Sequence, residues 1–464
     1  MFSTKLIEFG QRDGIVESLI EDLVTRQRLL IRSRYLFGAD GASSVVARSL
    51  NLDFVSKPAG SLSINVEFEA DLSHLMKHKP GIIHILTRPD KPQPEWGIAA
   101  ILRSIRPWHQ WTMVLMCHPS VLTQRLDIPV TDMMARIREF IGDETTELKY
   151  KQHTFWRVYE RYAKQYGHGD MYCLGDAVHQ HPPYNGLGAN TCIQDAFNLA
   201  WKVAFILQGK ADASLMSSYS DERQPIGQHT VQRANDTGRM FQKLFGVLGA
   251  FKPEPAERLA RLDLFKANTE EGEAARLEFR ECRYDMEEEL NCLGSEMNQW
   301  YQSSAVHTSD ERVGDAPAWP TTMRERSLNY IESTYPGFRV PHVWLMALKT
   351  APGSGGALIS TRDLCGHGRF VILTGIGGRE TWYNAARRVD DKLSVQVQVY
   401  SIGWGQDYED TFGDWYRKRD VEEKGAVLVR PDRTVAWRCK NVSDDHNIDQ
   451  KLVSIMRSVL DFRS

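Results

Sequence analysis

The sequence contains no C-x-x-C pair. Its seven cysteines (Cys117, Cys173, Cys192, Cys282, Cys292, Cys365 and Cys439) are scattered through 464 residues. That argues against a cysteine-built zinc site or a dithiol redox centre, and for reduced thiols in a cytoplasmic protein. No run approaches the ~20 consecutive apolar residues of a membrane span. Neither sign of charge dominates: 57 Lys and Arg against 60 Asp and Glu leave a net −3, so no basic field draws nucleic acid or an anionic membrane. The opening stretch, residues 1–14, has too short an apolar run, broken by a charge, for a secretory signal. No segment repeats and no tract is of low complexity. What is present is globular: 42% hydrophobic residues supply cores, and the length suits two or three domains.

The chain divides by pattern. Residues 15–37 read as strands, and the apolar run Tyr35-Leu36-Phe37 stops at the turn Gly38-Ala39-Asp40-Gly41. Leu62, Ile64, Val66 and Phe68 alternate with Ser63, Asn65, Glu67 and Glu69, the mark of a half-buried strand. Apolar runs at 81–87, 97–103 and 111–117 continue the pattern and predict an antiparallel meander. Residues 131–141 change to helical spacing, with Met134, Ile137 and Ile141 on one face, Thr131 as the expected N-cap and Gly142 as the stop. A second strand, Met171–Leu174, leads through a Gly- and Pro-rich loop into a long helix ended by Gly209. The expected apolar face of that helix is Ile193, Ala196, Phe197, Ala200, Trp201, Ala204 and Phe205. Residues 211–310 read as mostly helical, and 311–335, with Pro317 and Pro320, as a linker. From Pro336, strand runs at 369–374, 395–402 and 425–430 surround a helix near 379–389, a small α/β domain.

Chemistry concentrates in residues 174–190, Leu-Gly-Asp-Ala-Val-His-Gln-His-Pro-Pro-Tyr-Asn-Gly-Leu-Gly-Ala-Asn. Gly175 lets the chain turn sharply out of a strand, and Asp176 then offers a carboxylate to the hydroxyls of a polyol. Pro182 and Pro183 stiffen the loop. Gly186 and Gly188 admit close approach of a flat ligand to the backbone. Asn190 is expected to open the long helix, so that free N–H groups and the positive end of its dipole point at the ligand. A glycine turn before an amphipathic helix explains the helix, but not the spacing Asp-x-x-His-x-x-Pro-Pro-x-x-Gly-x-Gly-x-Asn. His179 is expected to pack the loop. His181, Tyr184 and Asn185 either face a substrate or shape the turn. Trp201 and Phe205 are expected in the core, and Asp444-Asp445-His446 in a solvated turn.

The run resembles the GD motif of FAD-dependent aromatic hydroxylases, the flavoprotein monooxygenases of the phenol and 2,4-dichlorophenol hydroxylase type. Its continuation, Asn190-Thr191-Cys192-Ile193-Gln194-Asp195-Ala196-Phe197-Asn198-Leu199-Ala200-Trp201-Lys202, is similar to the chlorophenol branch. Gly38-Ala39-Asp40-Gly41-Ala42-Ser43-Ser44-Val45-Val46, 136 residues upstream from Asp to Asp, resembles the family's DG motif. Pro336-Gly337, Arg339, Pro341-His342, Trp344-Leu345, Leu373-Thr374-Gly375-Ile376-Gly377-Gly378 and Val429-Arg430-Pro431-Asp432 resemble the thioredoxin-like extension of phenol hydroxylases. The likeness runs from about residue 15 to 460. It departs from the family at Met171 and Ala47, where Arg is common, at Cys192, where Gly or Ser is usual, and at Arg433, where Gly is usual.

The resemblance implies an α/β chain with an α+β substrate sheet. That means part of an FAD-binding fold of the glutathione-reductase type, an antiparallel substrate-binding sheet and a C-terminal thioredoxin-like domain. The expected divisions are 1–52 (DG motif), 53–160 (sheet), 161–240 (GD motif), 241–335 (helices and linker) and 336–464. The implied reaction hydroxylates a phenol or other aromatic with NAD(P)H and O₂ on bound FAD. Asp40, Gly175, Asp176, Pro183, Gly186, Gly188, Ala189 and Asn190 would hold the cofactor, and strands 62–117 would floor the aromatic pocket. No catalytic side chain and no metal ligand is singled out. A homodimer through the C-terminal domain is expected. The G-x-G-x-x-G unit that binds the ADP half in this family does not occur in the sequence. The expectation is therefore poor retention of FAD by this chain alone. The rival readings are a non-catalytic remnant serving as partner or scaffold, and a flavin epoxidase or Baeyer–Villiger enzyme.

Overall fold

A computed structural model describes residues 2–78, 80–123, 125–289, 291–347, 356–442 and 447–462. Asp444-Asp445-His446 lies outside the described residues. The first strands, Thr4–Arg12, Ile15–Asp22 and Arg28–Ser33, form an antiparallel sheet in chain order. Asp13 and Gly14, both at positive φ (52° and 74°), make the two-residue hairpin turn.

The second sheet is antiparallel and five-stranded, in the order Lys149–Arg157, Leu62–Glu69, Gln110–Met116, Ala99–Arg106, Ile83–Leu86. Leu62, Ile64, Val66 and Phe68 are fully buried, as their alternation predicts. The simple meander is corrected. Only the last three strands of that order follow one another in the chain, and 62–69 is inserted between 110–116 and 149–157. The 149–157 strand is mostly exposed, so it carries no apolar alternation to read. Helix Val130–Ile141 packs Met133, Ile137 and Phe140 under this sheet. It stops at Gly142 (φ 74°) as expected, but Pro129 rather than Thr131 holds the N-cap position.

The third layer joins the two glycine turns. Leu36–Gly38 runs parallel to Met171–Cys173, with Gly38 opposite Cys173. Beyond them lie helices Leu187–Leu207 and Ser217–Val247. No described helix is long and apolar enough to cross a membrane.

In the C-terminal region, strands Val397–Ser401, Phe370–Thr374, Ala426–Val429 and Val435–Cys439 lie in that order; the first two are parallel and the rest antiparallel. Helices Arg379–Leu393 and Ile448–Val459 cover one face, giving the thioredoxin-like arrangement. That face shares its core with the long helix: Phe370 meets Trp201 edge-on at 5.8 Å and Phe205 at 5.7 Å. The stretch 311–335 is bound down rather than loose. Glu311 pairs with Arg438 at 2.8 Å, and Thr334 Oγ1 donates to the Arg419 carbonyl at 2.6 Å. Arg433, where the family commonly has Gly, takes φ 67°, a conformation glycine adopts without strain.

Candidate cofactor site

The parallel strands 36–38 and 171–173 end side by side, and each runs into a glycine turn. Leu174 N–H donates to the Gly38 carbonyl at 3.1 Å, and Gln180 Nε2 donates to the Ala42 carbonyl at 2.8 Å. Two motifs 136 residues apart in sequence thus form one surface at the carboxyl ends of parallel strands, where α/β sheets bind ligands.

On the first turn, the Asp40 carboxylate accepts the N–H groups of Val45 (2.6 Å) and Val46 (3.2 Å). Asp40 is exposed and shapes the start of helix Val45–Ser49, alongside Ser44, which caps Ala47 N–H at 2.9 Å. On the second turn, Gly175 sits at φ 65°, and a Cβ there would lie 2.9 Å from Cys192 Sγ. Asp176 is exposed, and its Oδ1 accepts from the Cys192 thiol at 3.6 Å. Burial, with Asp176 beside it, pushes that thiol up to about 12, so it stays protonated.

The long helix opens at Leu187, three residues before Asn190, which corrects the expected start. Gly186, at φ 64°, is the N-cap, and no side chain caps the helix. The backbone N–H groups of Leu187, Gly188 and Ala189 are therefore the ones without an intrahelical acceptor. Asn190 lies one turn in and donates its side-chain amide to the Gly186 carbonyl at 2.9 Å. Pro183, Gly186, Ala189 and Asn190 are exposed, so this end of the helix faces outward with the Asp176 turn.

Behind the turn lies Asp195, fully buried, whose role the sequence pattern did not reveal. Its Oδ2 accepts Gly175 N–H at 3.0 Å and His179 Nε2 at 2.9 Å, and its Oδ1 accepts Arg223 Nε at 2.7 Å. Burial opposes the charge, but Arg223 and His179 overcome it and hold the carboxyl below its usual range. Arg223 continues to Gln299 (3.0 Å) and Tyr301 (2.9 Å). Two helical turns further, Lys202 and Arg430 both bind the buried Glu222, and Arg430 also binds Asp432. The expected apolar face is corrected accordingly: Asp195, Asn198 and Lys202 are buried, while Ile193 is 66% and Phe197 41% exposed.

Asn185 (φ 62°) donates its N–H to Glu289 Oε1 at 3.1 Å, and its side-chain oxygen accepts Thr237 Oγ1 at 2.9 Å. It shapes the turn. Tyr184 stacks on Phe241 at 5.1 Å, and burial pushes its phenol up to about 12. Burial lowers the pKa of His181, whose Nδ1 faces the Pro182 carbonyl at 2.8 Å. A cavity of about 310 Å³ between the five-stranded sheet and helix 217–247 is lined by Ser63, Met116, Val158, Tyr184 and Asn235.

Residues 1–234 match the family described as FAD binding domain, and residues 333–461 match the family described as aromatic-ring hydroxylase, C-terminal. The chain belongs to the FAD-dependent aromatic-ring hydroxylases. It is 37% identical to a 2,4-dichlorophenol 6-monooxygenase of Cupriavidus pinatubonensis, over 99% of this chain and 74% of that one. It is 35% identical to a phenol 2-monooxygenase of a Pseudomonas species, over 96% and 69%. Among solved structures, the flavin-dependent monooxygenase PieE, in complex with FAD and substrate, superposes with a TM-score of 0.88 at 35% identity, over 99% of this chain and 76% of that one. An exposed carboxylate beside an uncapped helix N-terminus fits a cofactor that carries both hydroxyls and negative charge, as FAD does.

Proposed function

We propose that this protein uses FAD, NAD(P)H and O₂ to hydroxylate a phenol or a related aromatic compound. The observation that carries the reading is the pairing of the two glycine turns at adjacent parallel strand ends, beside a helix whose first N–H groups are open. Bound FAD would carry two electrons from NAD(P)H to O₂, so that one oxygen atom would enter the ring and the other would leave as water.

The chain's own residues bind and orient. Asp176 accepts hydrogen bonds from ribityl hydroxyls, and Gly175 lets the ligand close on the turn. Pro183 and Gly186 fix the loop, and Asn190 pins the Gly186 carbonyl. The N–H groups of Gly188 and Ala189 face the pyrimidine edge, where a helix N-terminus favours negative charge by ~0.3–1 kcal/mol. Asp40 supports the DG turn that meets the rest of the cofactor. The cavity beside Tyr184 takes the aromatic ring against the strands 62–116 and shields it from water.

Two copies pair through residues 336–464, where exposed Trp344, Leu358 and Tyr383 offer apolar surface to bury; sedimentation of a monomer would remove this part of the reading. The free thiols of Cys117, Cys173, Cys192, Cys282, Cys292 and Cys365 suit a reducing cytoplasm. The reaction is tested by supplying FAD-loaded protein with NAD(P)H, O₂ and either a phenol or a cyclic ketone. A hydroxylated phenol is expected. A lactone from the ketone with the phenol untouched, or no product from either, would overturn the proposal.

A further inference from the structure

Helix Ser217–Val247 fixes Tyr184 from three positions that lie within about one turn of each other. Phe241 stacks on the Tyr184 ring, with centroids 5.1 Å apart and planes 23° from parallel. Gly238 leaves room for the ring edge: a Cβ there would lie 2.9 Å from Cε2 and 3.3 Å from Cδ2 of Tyr184. Thr237 Oγ1 donates to the side-chain oxygen of Asn185, the next residue in the loop, at 2.9 Å. Asn185 is also tied through its backbone N–H to Glu289 at 3.1 Å, and Pro183, on the other side, restricts the backbone before the ring. The ring is a fixed wall.

That wall belongs to the cavity of about 310 Å³ beside the five-stranded sheet, and Gly238 lines the same cavity. The volume lies at the low end of the ~300–1,000 Å³ of ligand pockets. Charge does not decide what enters. The cations that line the cavity, Lys57 and Arg239, are both paired with Glu160, at 2.5 and 3.2 Å. Selection is left to shape and to ring contact. Among the described residues lining the cavity, Tyr184 is the only aromatic one, so ring-on-ring packing there depends on it.

The side chain of Tyr184 is itself a phenol. The space it fills is that of one ring, which is the step from a single-ring phenol to a fused two-ring one. A single ring packs against it offset or edge-on, the contacts that aromatic pairs favour. A second, fused ring competes for the space where Tyr184 stands. The tyrosine ring cannot yield toward the helix, because it already sits as close to the Gly238 backbone as the missing Cβ allows, and moving sideways breaks its stack on Phe241. We propose that Tyr184 is a specificity-determining residue, which tunes the cavity to single-ring over fused two-ring phenols. The inference rests on the reading of this cavity as the aromatic site.

Binding is measured by equilibrium dialysis on the full chain, with FAD present and NAD(P)H absent so that nothing turns over. Phenol and 1-naphthol are the probes. Tyr184→Ala should weaken phenol binding about three- to tenfold and tighten that of 1-naphthol, moving the ratio of the two affinities by about tenfold. Tyr184→Phe keeps the ring and should keep the parent's ratio, which separates the ring from its hydroxyl. Tyr184→Leu retains apolar bulk over Phe241 and should shift the ratio in the direction of alanine, even if the alanine variant proves unstable. Equal weakening of both probes would reduce Tyr184 to a structural part and overturn the assignment. So would an unchanged ratio in the leucine variant, a phenylalanine variant shifted as far as alanine, or no saturable binding of phenol by the parent. Phenol that binds with this preference but is not hydroxylated once NAD(P)H is added would sink the proposed reaction and leave the role of Tyr184 standing.

Discussion

Asp195 accepts the backbone N–H of Gly175 at 3.0 Å, from a helix that begins only after the turn Gly175 opens. The same oxygen takes His179 Nε2, so one buried carboxylate fixes both ends of the segment that presents Asp176. The exposed face of the turn is left for a ligand, and its geometry is set from behind.

Replacing Asp195 by Asn keeps the shape but strips the buried Arg223 of its counter-charge. Removing one partner of a buried pair costs about 3–5 kcal/mol. Asp195→Asn is expected to lower the urea midpoint by a corresponding amount and to weaken flavin binding with it. A variant as stable as the parent would show that the pair does not hold the turn.

The same residue sets a pH dependence. Its folded pKa lies below the ordinary carboxyl value, so the stability it contributes is present above ~4 and drains away as pH falls below that. Glu222 shifts the same way: burial opposes its charge, and Arg430 and Lys202 overcome that opposition. The parent should lose stability steadily as pH falls below about 4, and Asp195→Asn less steeply. Urea unfolding at a series of pH values reads the two slopes; equal slopes would contradict the assignment.

Trp201 lies in a core that includes Phe370 of the C-terminal sheet. Trp201→Ala should cost about 3–5 kcal/mol and move the whole chain in a single calorimetric transition. Two separated transitions, with only one shifted, would show that the halves fold independently.

Much of this was legible before the structure. The two glycine motifs, the half-buried strand at 62–69, the stop at Gly142 and the small C-terminal α/β domain follow from local chemistry. The polarity of the long helix does not. Its apolar residues Ile193 and Phe197 face outward and its charged Asp195 and Lys202 inward, because their partners Arg223 and Glu222 lie 28 and 20 residues away on another helix. Periodicity within one helix cannot report such pairs. The strand Lys149–Arg157 was hidden for the opposite reason: as an exposed edge strand it buries too little to leave a pattern.

The central claim is that the turn at Asp176 holds the flavin. It is tested most directly by titrating FAD into the parent chain and into Asp176→Ala while following the visible flavin absorption. Asp176 is exposed, so the variant should fold as the parent does. A charge-assisted hydrogen bond to a ribityl hydroxyl is worth about 1.5–3 kcal/mol, which predicts a saturable spectral change in the parent and binding weaker by about ten- to a hundredfold in the variant. No spectral change in the parent at saturating FAD, or the same affinity in both, would contradict the account.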